Sequence, residues 1–301
     1  MPVNLKATHY EILPARAGQN TRASLKLKFE HHPEAGRTIL TENLHEPPLQ
    51  VVRAFSHADG AAMVHLHNVS GGLFGGDQLS FRIDVGKRAN AQLTTTGATR
   101  VYRTKSELAG ASQENNIIVK EGGLLEFLPD EIIPFAGATF SQETFITLAD
   151  GAGLFWWEIL APGREARQEI FQYDKVQMKA RVMAGSRSIA AENICLTPAK
   201  RSVSSLARLG PYHYYSTFYV CRVGVDPKSW RNLENHLLEV THGLTRPGEI
   251  LWAVSTLVSD GLAVRCVGLN GRDLRLGLHE IWRRAKAYLY GREAIVPRKV
   301  N

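Results

Sequence analysis

Two histidines in a short alternating segment are the residues best suited to contact a metal ion. His65 and His67 are two positions apart, so on a β-strand both imidazoles lie on the same face. Imidazole is a good ligand for nickel, copper and zinc. The neighbouring sequence offers no third ligand, and a pair of this kind more often belongs to an ordinary strand face. We therefore expect any metal contact at this pair to be transient.

Acidic residues in apolar surroundings form the second candidate group. Glu126 lies in Leu-Leu-Glu-Phe-Leu, Glu131 follows Pro129-Asp130, and Glu158 lies in Trp-Trp-Glu-Ile-Leu. A carboxylate in such a run lies either on the wet face of a strand or in the interior with a partner. If several of them converge, they would serve as a general acid/base set or as a path for a cation.

The most unusual local sequence is a run with four glycines that ends in an aspartate, Gly71-Gly72-Leu73-Phe74-Gly75-Gly76-Asp77. Gly71 and Gly76 have the spacing of a phosphate-binding loop, but Asp77 and Gln78 replace the Lys and Ser/Thr that such a loop requires. The next residues, 79–85, alternate like a strand and do not open a helix that could hold an anion. We therefore exclude a nucleotide site and predict a tight turn that holds Asp77 at a defined position.

Nucleophilic catalysis has no local signature in this chain, because neither a nucleophile elbow nor a Cys-His arrangement is present. The enzymatic alternative is a metal-dependent hydrolase that uses His65, His67 and Asp77. It requires these three side chains to meet in the fold.

The elements that must position these residues are mostly strands. Period-2 alternation is clearest in Leu79–Val85 and Lys175–Val182. Further candidate strands are 62–67, 91–96, 116–120, 123–128, 143–148, 154–160, 188–195, 213–223, 249–258 and 262–268. Many short strands at close spacing predict a large mixed or antiparallel β architecture. Residues 14–24 and 30–48 are the most loop-like segments.

Two segments with helical periodicity follow the strands. Asp226-Pro227 is a good helix start, and the spacing of apolar residues predicts helices at about 227–242 and 272–290. Gly277 in the second helix is expected to cost about 1 kcal/mol relative to alanine. No linker or repeat divides the chain, so residues 1–301 are interpreted as one mainly β domain.

The composition places the chain among globular proteins. Its 301 residues are 44% hydrophobic, which is sufficient for a sizeable core, and carry a net charge of +7. The three cysteines lie far apart and form no CxxC motif, which argues against a disulfide framework or a zinc ribbon. Neither a signal-peptide pattern nor an apolar run long enough to span a bilayer is apparent. We expect a cytoplasmic protein that does not bind a membrane.

Four segments in chain order resemble the UreD family of urease accessory proteins, also called UreH. They are Gly71–Asp77, Thr94-Thr95-Thr-Gly-Ala-Thr-Arg-Val-Tyr102-Arg103, Leu125-Glu126-Phe-Leu-Pro-Asp-Glu131-Ile132 and Trp157-Glu158-Ile-Leu-Ala-Pro-Gly163-Arg164. The family pattern reads roughly GGxxGGD, TTxxATKVYR, LEWLPQExI and GWEILxxGR. The ending Pro297-Arg298-Lys299-Val300 also resembles the family. Phe127 and Asp130 replace a common Trp and a common Gln.

The resemblance implies a maturation factor and not an enzyme. Family members have an extended, β-helix-like fold with a few helices. They bind apo-urease and, through the accessory protein UreF, the nickel-carrying GTPase UreG. Nickel is thought to pass through an internal channel toward the empty urease site. The resemblance therefore implies a scaffold or chaperone with no tightly bound cofactor and with transient nickel.

The resemblance also implies site residues. By motif position, the candidates for a nickel path are Asp77, Glu126, Glu131 and Glu158, to which we add His65 and His67. The family-signature residues are Gly71, Gly72, Gly75, Gly76, Thr94, Thr95, Tyr102, Arg103, Trp157, Gly163 and Arg164. A conduit must release its ion, so scattered carboxylates suit this role better than a dense Cys/His cage.

The positive charge is concentrated in the last third of the chain. Residues 1–198 contain 20 basic and 21 acidic side chains, whereas residues 199–301 contain 16 and 8. A basic C-terminal third beside a neutral body favours docking on an acidic protein over binding to nucleic acid. Nucleic-acid binding is the third hypothesis, and we do not expect it. The candidate partner-binding residues are Arg283, Arg284, Lys286, Arg298 and Lys299.

Overall fold

Strands dominate the chain, and two helices lie near its C-terminal end. The computed structural model describes residues 20–297. In chain order the strands are β1 (Arg22–His32), β2 (Arg37–His45), β3 (Leu49–Gln50), β4 (Ala54–Ser56), β5 (Ala62–Asn68), β6 (Gln78–Val85), β7 (Asn90–Thr95), β8 (Thr99–Val101), β9 (Ala111–Val119), β10 (Leu124–Phe127), β11 (Ile132–Pro134), β12 (Thr139–Leu148), β13 (Gly153–Leu160), β14 (Lys175–Ala184), β15 (Arg187–Leu196), β16 (Tyr214–Arg222), β17 (Ile250–Thr256) and β18 (Gly261–Gly268). The helices are α1 (Pro227–Leu244) and α2 (Gly271–Tyr290), and short 3-10 helices occur at Pro33–Ala35 and Glu165–Arg167.

The strands form two sheets, and the middle of the chain alternates between them. The outer sheet has the spatial order β15-β14-β12-β9-β6-β1-β2. The central sheet has the order β17-β18-β16-β13-β10-β7-β5-β3, to which β4, β8 and β11 are attached. From β5 to β13 the long strands alternate between the sheets, and neighbours within each sheet are parallel. Each turn of the chain thus adds one strand to both sheets, as in a β-helix.

The first hydrophobic core lies between the two sheets. It forms because apolar residues recur at every second position and therefore share one face of each strand. In β6 the inward residues are Leu79, Phe81, Ile83 and Val85, and the polar residues between them face the solvent side of the outer sheet. The central sheet supplies the opposite wall, including the fully buried Trp156.

The second core lies between the other face of the central sheet and the two helices. In β13, Phe155 and Trp157 point toward the helices, where they pack with Trp230 of α1 and Trp282 of α2. Gly277 of α2 allows a close approach, because a Cβ atom there would come within 2.2 Å of the Trp252 ring. The packing on Trp252 therefore accounts for a glycine that is unfavourable in a helix interior.

Both helices begin at a side-chain cap, and the sequence predicts the first of the two. The Asp226 carboxylate accepts a hydrogen bond from the backbone N–H of Ser229 at 3.0 Å, and α1 starts at the following Pro227. The Asn270 amide oxygen accepts the backbone N–H of Asp273 at 2.9 Å and caps α2. Each cap satisfies one of the backbone N–H groups that a helix start leaves without a partner.

The mainly β, mixed-sheet fold with two late helices is confirmed, and the helices match the predicted ranges within two residues. The loop prediction for 14–24 and 30–48 is wrong where β1 and β2 lie, and residues 14–19 fall outside the described residues. In β1 the inward side chains Ala23, Leu25, Leu27 and Phe29 alternate regularly. β2 is an edge strand that buries little, so its sequence lacks a clear alternating pattern.

Candidate functional site

A cavity of about 290 Å³ lies between the two sheets. The central sheet contributes the ends of its strands, including Glu158 of β13, whereas the outer sheet contributes the starts of its strands. Inward-pointing polar side chains of the outer sheet face the cavity, namely Gln113 and Asn115 of β9 and Gln142 of β12. A β-helix interior normally holds apolar side chains at these positions, so the polar lining is a distinctive feature of this site.

The polar side chains of the outer sheet form a connected row because the strand register aligns them. Gln142 is paired with Gln113, and Thr144 with Asn115. The Gln113 amide donates to the Asn115 oxygen at 3.1 Å, and the Asn115 amide donates to the Thr144 hydroxyl at 2.9 Å. The Gln142 amide donates to the carboxylate of Glu158 across the interior. These residues place carboxylate, amide and hydroxyl oxygens along one interior path.

Glu158 is held inside the protein without a compensating cation. Burial, followed by the nearby negative charge of Glu192, raises the pKa of its carboxyl group to about 8. Hydrogen bonds from Gln142 and Thr144 oppose this rise only in part. In the described part of the chain, no lysine or arginine is among the groups that shift this pKa. Burial therefore favours the protonated form of this carboxyl group near neutral pH.

Glu192 of β15 is the second interior carboxylate, and hydroxyl groups surround it. It accepts hydrogen bonds from the hydroxyls of Tyr215 at 2.6 Å and Tyr219 at 2.8 Å. Arg265 approaches it at 3.5 Å. These hydrogen bonds connect β15 of the outer sheet to β16 of the central sheet. Glu158 and Glu192 thus lie in the same interior but differ in their neighbours, because an arginine approaches Glu192.

Toward the end of β7, the cavity is lined by Asp130, Thr95 and His67. The Thr95 hydroxyl donates to the Asp130 carboxylate at 3.1 Å and accepts the backbone N–H of Asp130 at 2.9 Å. Burial, followed by the nearby His65, lowers the pKa of His67. A lowered pKa keeps this imidazole neutral, which is the form that binds a metal ion.

Asp77 stabilises the glycine turn and does not line the cavity. Its two carboxylate oxygens accept the backbone N–H groups of Thr21 at 3.0 Å and Phe74 at 2.8 Å. Gly71 and Gly76 have φ angles of +81° and +89°, which favour glycine. The run is the tight turn that its sequence predicts, and Asp77 closes it.

Glu126 is buried beneath α2, on the opposite side of the central sheet from the cavity. Its carboxylate accepts hydrogen bonds from the Lys286 ammonium and from the Trp282 indole N–H, both at 2.7 Å. Burial raises the pKa of this carboxyl group, and Lys286 opposes that rise. These contacts attach α2 to the central sheet.

Glu131 and His65 also lie away from the cavity lining. The Glu131 carboxylate binds one guanidinium nitrogen of Arg275 in α2 at 2.7 and 2.8 Å. The His65 ring lies edge-on to Phe55, with ring centroids 5.9 Å apart. Of the six candidates for a nickel path, the structure brings Glu158 and His67 to the cavity.

A metal-dependent hydrolase site built on His65, His67 and Asp77 gains no support from this arrangement. Within residues 20–297, no group of three His, Cys, Asp or Glu side chains is placed to hold a metal ion. The carboxylate of Asp77 is engaged by backbone N–H groups of the turn.

Three family-signature residues, Gly71, Gly72 and Thr95, line the cavity, and the glycine turn also contacts a cluster of aromatic rings. The Phe74 ring stacks on Tyr102 at 4.6 Å, Tyr102 meets Phe135 edge-on at 5.0 Å, and the Arg164 guanidinium lies 4.2 Å from the centre of Phe135. A Cβ atom at Gly72 would lie 2.7 Å from the Tyr102 ring. The glycine turn therefore packs directly on the aromatic segment.

The other signature residues fix neighbouring loops. The Thr94 hydroxyl donates to the carbonyl of Leu128 at 2.8 Å, and the Trp157 indole donates to that of Pro129 at 2.8 Å. The Arg103 guanidinium donates to the Ala136 carbonyl at 3.4 Å. A Cβ atom at Gly163 would collide with the carbonyl of Glu169, so the close backbone approach accounts for this glycine.

The candidate docking residues on α2 differ in exposure. Arg283 and Arg284 are exposed, and both pair with Glu280 of the same helix at 3.3 and 2.7 Å. The assignment of Lys286 to a docking surface is wrong, because its side chain is 2% exposed and neutralises Glu126. Arg298 and Lys299 lie outside the described residues.

Comparison with known proteins decides the family. The family described as UreD urease accessory protein matches residues 21–301. The chain belongs to the UreD family. A UreD urease accessory protein of Herpetosiphon aurantiacus is 44% identical over 264 residues, which cover 88% of this chain and 92% of the relative.

More distant UreD and UreH proteins also align over most of their length. A UreD protein of Janthinobacterium is 31% identical over 94% of this chain and 92% of its own. A protein named UreH from Helicobacter acinonychis is 26% identical over 87% of this chain and 93% of its own. The relatives are named as accessory proteins. Among residues 20–297, no helix has the length and apolar character needed to cross a membrane.

Several cavity residues were not anticipated from sequence. Gln113, Asn115 and Gln142 carry no charge, and in an alternating strand they look like ordinary solvent-facing polar residues. A usable signal exists in β12, where Gln142 occupies the phase of the buried Phe140 and Ile146. A polar residue in the apolar phase of a strand indicates either a buried network or a cavity.

Proposed function

We propose that this protein is a non-enzymatic urease maturation factor that conducts nickel through its interior. It would bind apo-urease together with a UreF-type accessory protein and, through the latter, a UreG-type GTPase. The polar cavity between the sheets supports this proposal, because oxygen atoms that can bind a cation line it within an otherwise apolar interior. We further propose that this assembly works in the cytoplasm and that the protein holds no tightly bound cofactor.

The chemistry of the lining suits a path better than a storage site. Nickel binds most strongly to imidazole and thiolate ligands, whereas the cavity offers the carboxyl groups of Glu158 and Asp130 and neutral oxygens at Gln142 and Asn115. His67 contributes an imidazole only at the end of the cavity. A passing cation would exchange weak ligands one after another, and weak successive sites permit release.

The test compares one interior and one exterior carboxylate. Glu158→Gln keeps the shape of the side chain but removes the carboxyl group that can ionise beside a cation, and we expect it to slow nickel delivery to urease about tenfold or more. Glu143→Gln is the matched control, because Glu143 lies on the exposed face of β12 and pairs with Lys179 at 2.7 Å.

Two readouts separate conduction from assembly. The nickel content and activity of urease measure delivery, and co-purification of the partners measures assembly. The expected result for Glu158→Gln is a complete complex with nickel-poor urease. Equal delivery by both variants would remove the cavity from the proposal. Full urease activity after deletion of this protein would contradict the maturation role itself.

A further inference from the structure

The connection between β15 and β16 is the longest segment in the last third of the chain that has neither strand nor helix. It spans residues 197–213. It contains Lys200, Arg201 and Arg208 but no Asp or Glu. Connections longer than about 12 to 15 residues without secondary structure are uncommon in compact domains and usually carry function or belong to disordered segments.

Internal contacts fix the shape of this connection. Val203 is buried in the core between the sheets, and Leu209 packs against the same core. Between these anchors, the carbonyl of Ser205 accepts the backbone N–H groups of Arg208 at 2.9 Å and Gly210 at 3.0 Å. The Leu209 N–H donates to the Val203 carbonyl at 3.2 Å. Residues 203–210 therefore form a closed turn that is anchored by the side chains of Val203 and Leu209.

The turn presents a leucine to solvent. Leu206 lies at its tip with 94% of its surface exposed. One exposed apolar side chain is ordinary, but this one is held by a hydrogen-bonded turn whose other large apolar residues, Val203 and Leu209, pack against the core. A side chain held in this way loses little conformational freedom on binding.

The positive charges beside the leucine have no ion-pair partner among the residues that the structure describes. None of the ion pairs formed within residues 20–297 includes Lys200, Arg201 or Arg208. The Arg208 guanidinium instead donates to the Arg201 carbonyl at 3.1 Å, which brings these two residues together. In contrast, the exposed Arg283 and Arg284 share the carboxylate of Glu280. The turn is thus a source of uncompensated positive charge.

The connection leaves the sheets at the same end as the cavity. Leu196, the last residue of β15, pairs with Val176 near the start of β14. Tyr215, near the start of β16, pairs with Leu160, and the adjacent Ile159 lines the cavity. A protein bound to this turn would therefore lie close to the polar interior.

We infer that residues 200–208 are a docking knob that inserts Leu206 into an apolar socket on an acidic surface of a partner protein. The inference rests on the proposed function, in which the chain works within an assembly of proteins. The positive charges would speed and orient the encounter, and the leucine would be the desolvated contact. A membrane surface fits less well, because interfacial segments bury a continuous apolar face and not a single side chain.

The experiment measures binding of the full chain to purified apo-urease and to the UreF-type protein. We expect Leu206→Ser to raise the Kd for one of them about tenfold, and the double variant Lys200→Glu/Arg201→Glu to raise it by about tenfold or more. Increasing the salt concentration should weaken binding of the parent chain more than that of the double variant.

Two control variants carry the same chemical changes elsewhere. Val258→Ser removes an 81% exposed side chain from the turn between β17 and β18. Lys120→Glu reverses an exposed charge just beyond β9. Both should keep the parent Kd within about twofold, and circular dichroism of all four variants should match that of the parent chain.

Three outcomes would overturn the docking knob. The first is that the parent chain binds, but Leu206→Ser and Lys200→Glu/Arg201→Glu bind both proteins with the same Kd as the parent chain. The second is an equal loss of affinity in the controls. The third is binding to anionic lipid vesicles that Leu206→Ser abolishes without changing either protein Kd. Failure of the parent chain to bind either protein would instead contradict the proposed function.

Discussion

Glu126 and Glu158 lie on opposite faces of the central sheet and illustrate two uses of a buried carboxyl group. Glu126 lies under α2, where Lys286 and Trp282 each bind one of its oxygens. Glu158 lies between the sheets, where a glutamine amide and a threonine hydroxyl are its neighbours and no cation within residues 20–297 shifts its pKa. Burial raises the pKa of both groups.

The difference lies in what surrounds each carboxyl group. The Glu126 site is filled, and each oxygen has a donor, as expected of a contact that holds a helix on a sheet. The Glu158 site borders a cavity of about 290 Å³ and lacks a countercharge. A buried carboxyl group that lines a cavity is a better indicator of a cation path than an acidic residue in an apolar sequence.

The largest effect is expected when the partner of Glu126 is removed. Lys286→Met should lower the free energy of unfolding by about 3 to 5 kcal/mol at pH 8, because it leaves a carboxylate buried without its cation. The loss should be smaller at pH 5, where the carboxyl group more readily takes up a proton. Urea unfolding at both pH values measures the change.

Two variants control for other consequences of removing Lys286. Arg284→Met removes an exposed charge from the same helix and should change stability by no more than about 0.5 kcal/mol. The double variant Lys286→Met/Glu126→Gln should recover much of the loss. A loss below about 1 kcal/mol for Lys286→Met alone would show that the pair does not stabilise the fold.

A smaller effect, spread over pH, is expected at Glu158. Its pKa of about 8 exceeds the ordinary value of 4.5, so between these pH values the unfolded chain loses a proton that the folded chain keeps. Glu158 therefore stabilises the fold fully at low pH and progressively less as the pH rises toward 8. This contribution should fall by at most about 1.4 kcal/mol per pH unit.

Glu158→Gln should remove that dependence. The difference in unfolding free energy between this variant and the parent should therefore shift in favour of the variant from pH 5 to pH 8. Glu143→Gln, on the exposed face of the outer sheet, should show a constant difference. A constant difference for Glu158→Gln as well would mean that Glu158 is ionised throughout this range.

The smallest effect is expected at Asp77, which resembles Glu126 in having its oxygens occupied. Asp77→Ala should cost about 1 to 3 kcal/mol, because two backbone N–H groups lose their acceptor. Thermal unfolding measures this loss. Nickel delivery by the folded variant should equal that of the parent protein, and slower delivery with unchanged stability would place Asp77 on the path after all.

The sequence allowed most elements to be predicted but not their arrangement. Alternation in 79–85 and 175–182 identifies which residues share a face. Asp226-Pro227 locates the start of the first helix, and the spacing of apolar residues locates both helices. Alternation does not say which strand is the neighbour, so the exchange of successive strands between two sheets was not predictable from the residues. β2 escaped prediction because an edge strand contributes few buried residues and its sequence is correspondingly irregular.

The candidate site was predictable only in part. Glu158 was recognised because an acidic residue between Trp157 and Ile159 is conspicuous. Glu126 has the same local signature, and its partner Lys286 lies far along the chain. Only the fold reveals that one carboxyl group is neutralised and the other is not. The amides of Gln113 and Gln142 could not be recognised as site residues from the sequence, because only the strand register shows that they are neighbours.

The winding of the chain between its two sheets also determines how the interior can vary. Neighbouring turns lie one strand spacing apart, about 4.8 Å, and Gln113 and Gln142 occupy equivalent positions on successive turns of the outer sheet. A relative that gained or lost one whole turn would therefore change the length of its polar interior by about 4.8 Å at a nearly constant width. The length of the cavity can therefore change in steps of one turn, while the loops continue to form its two ends.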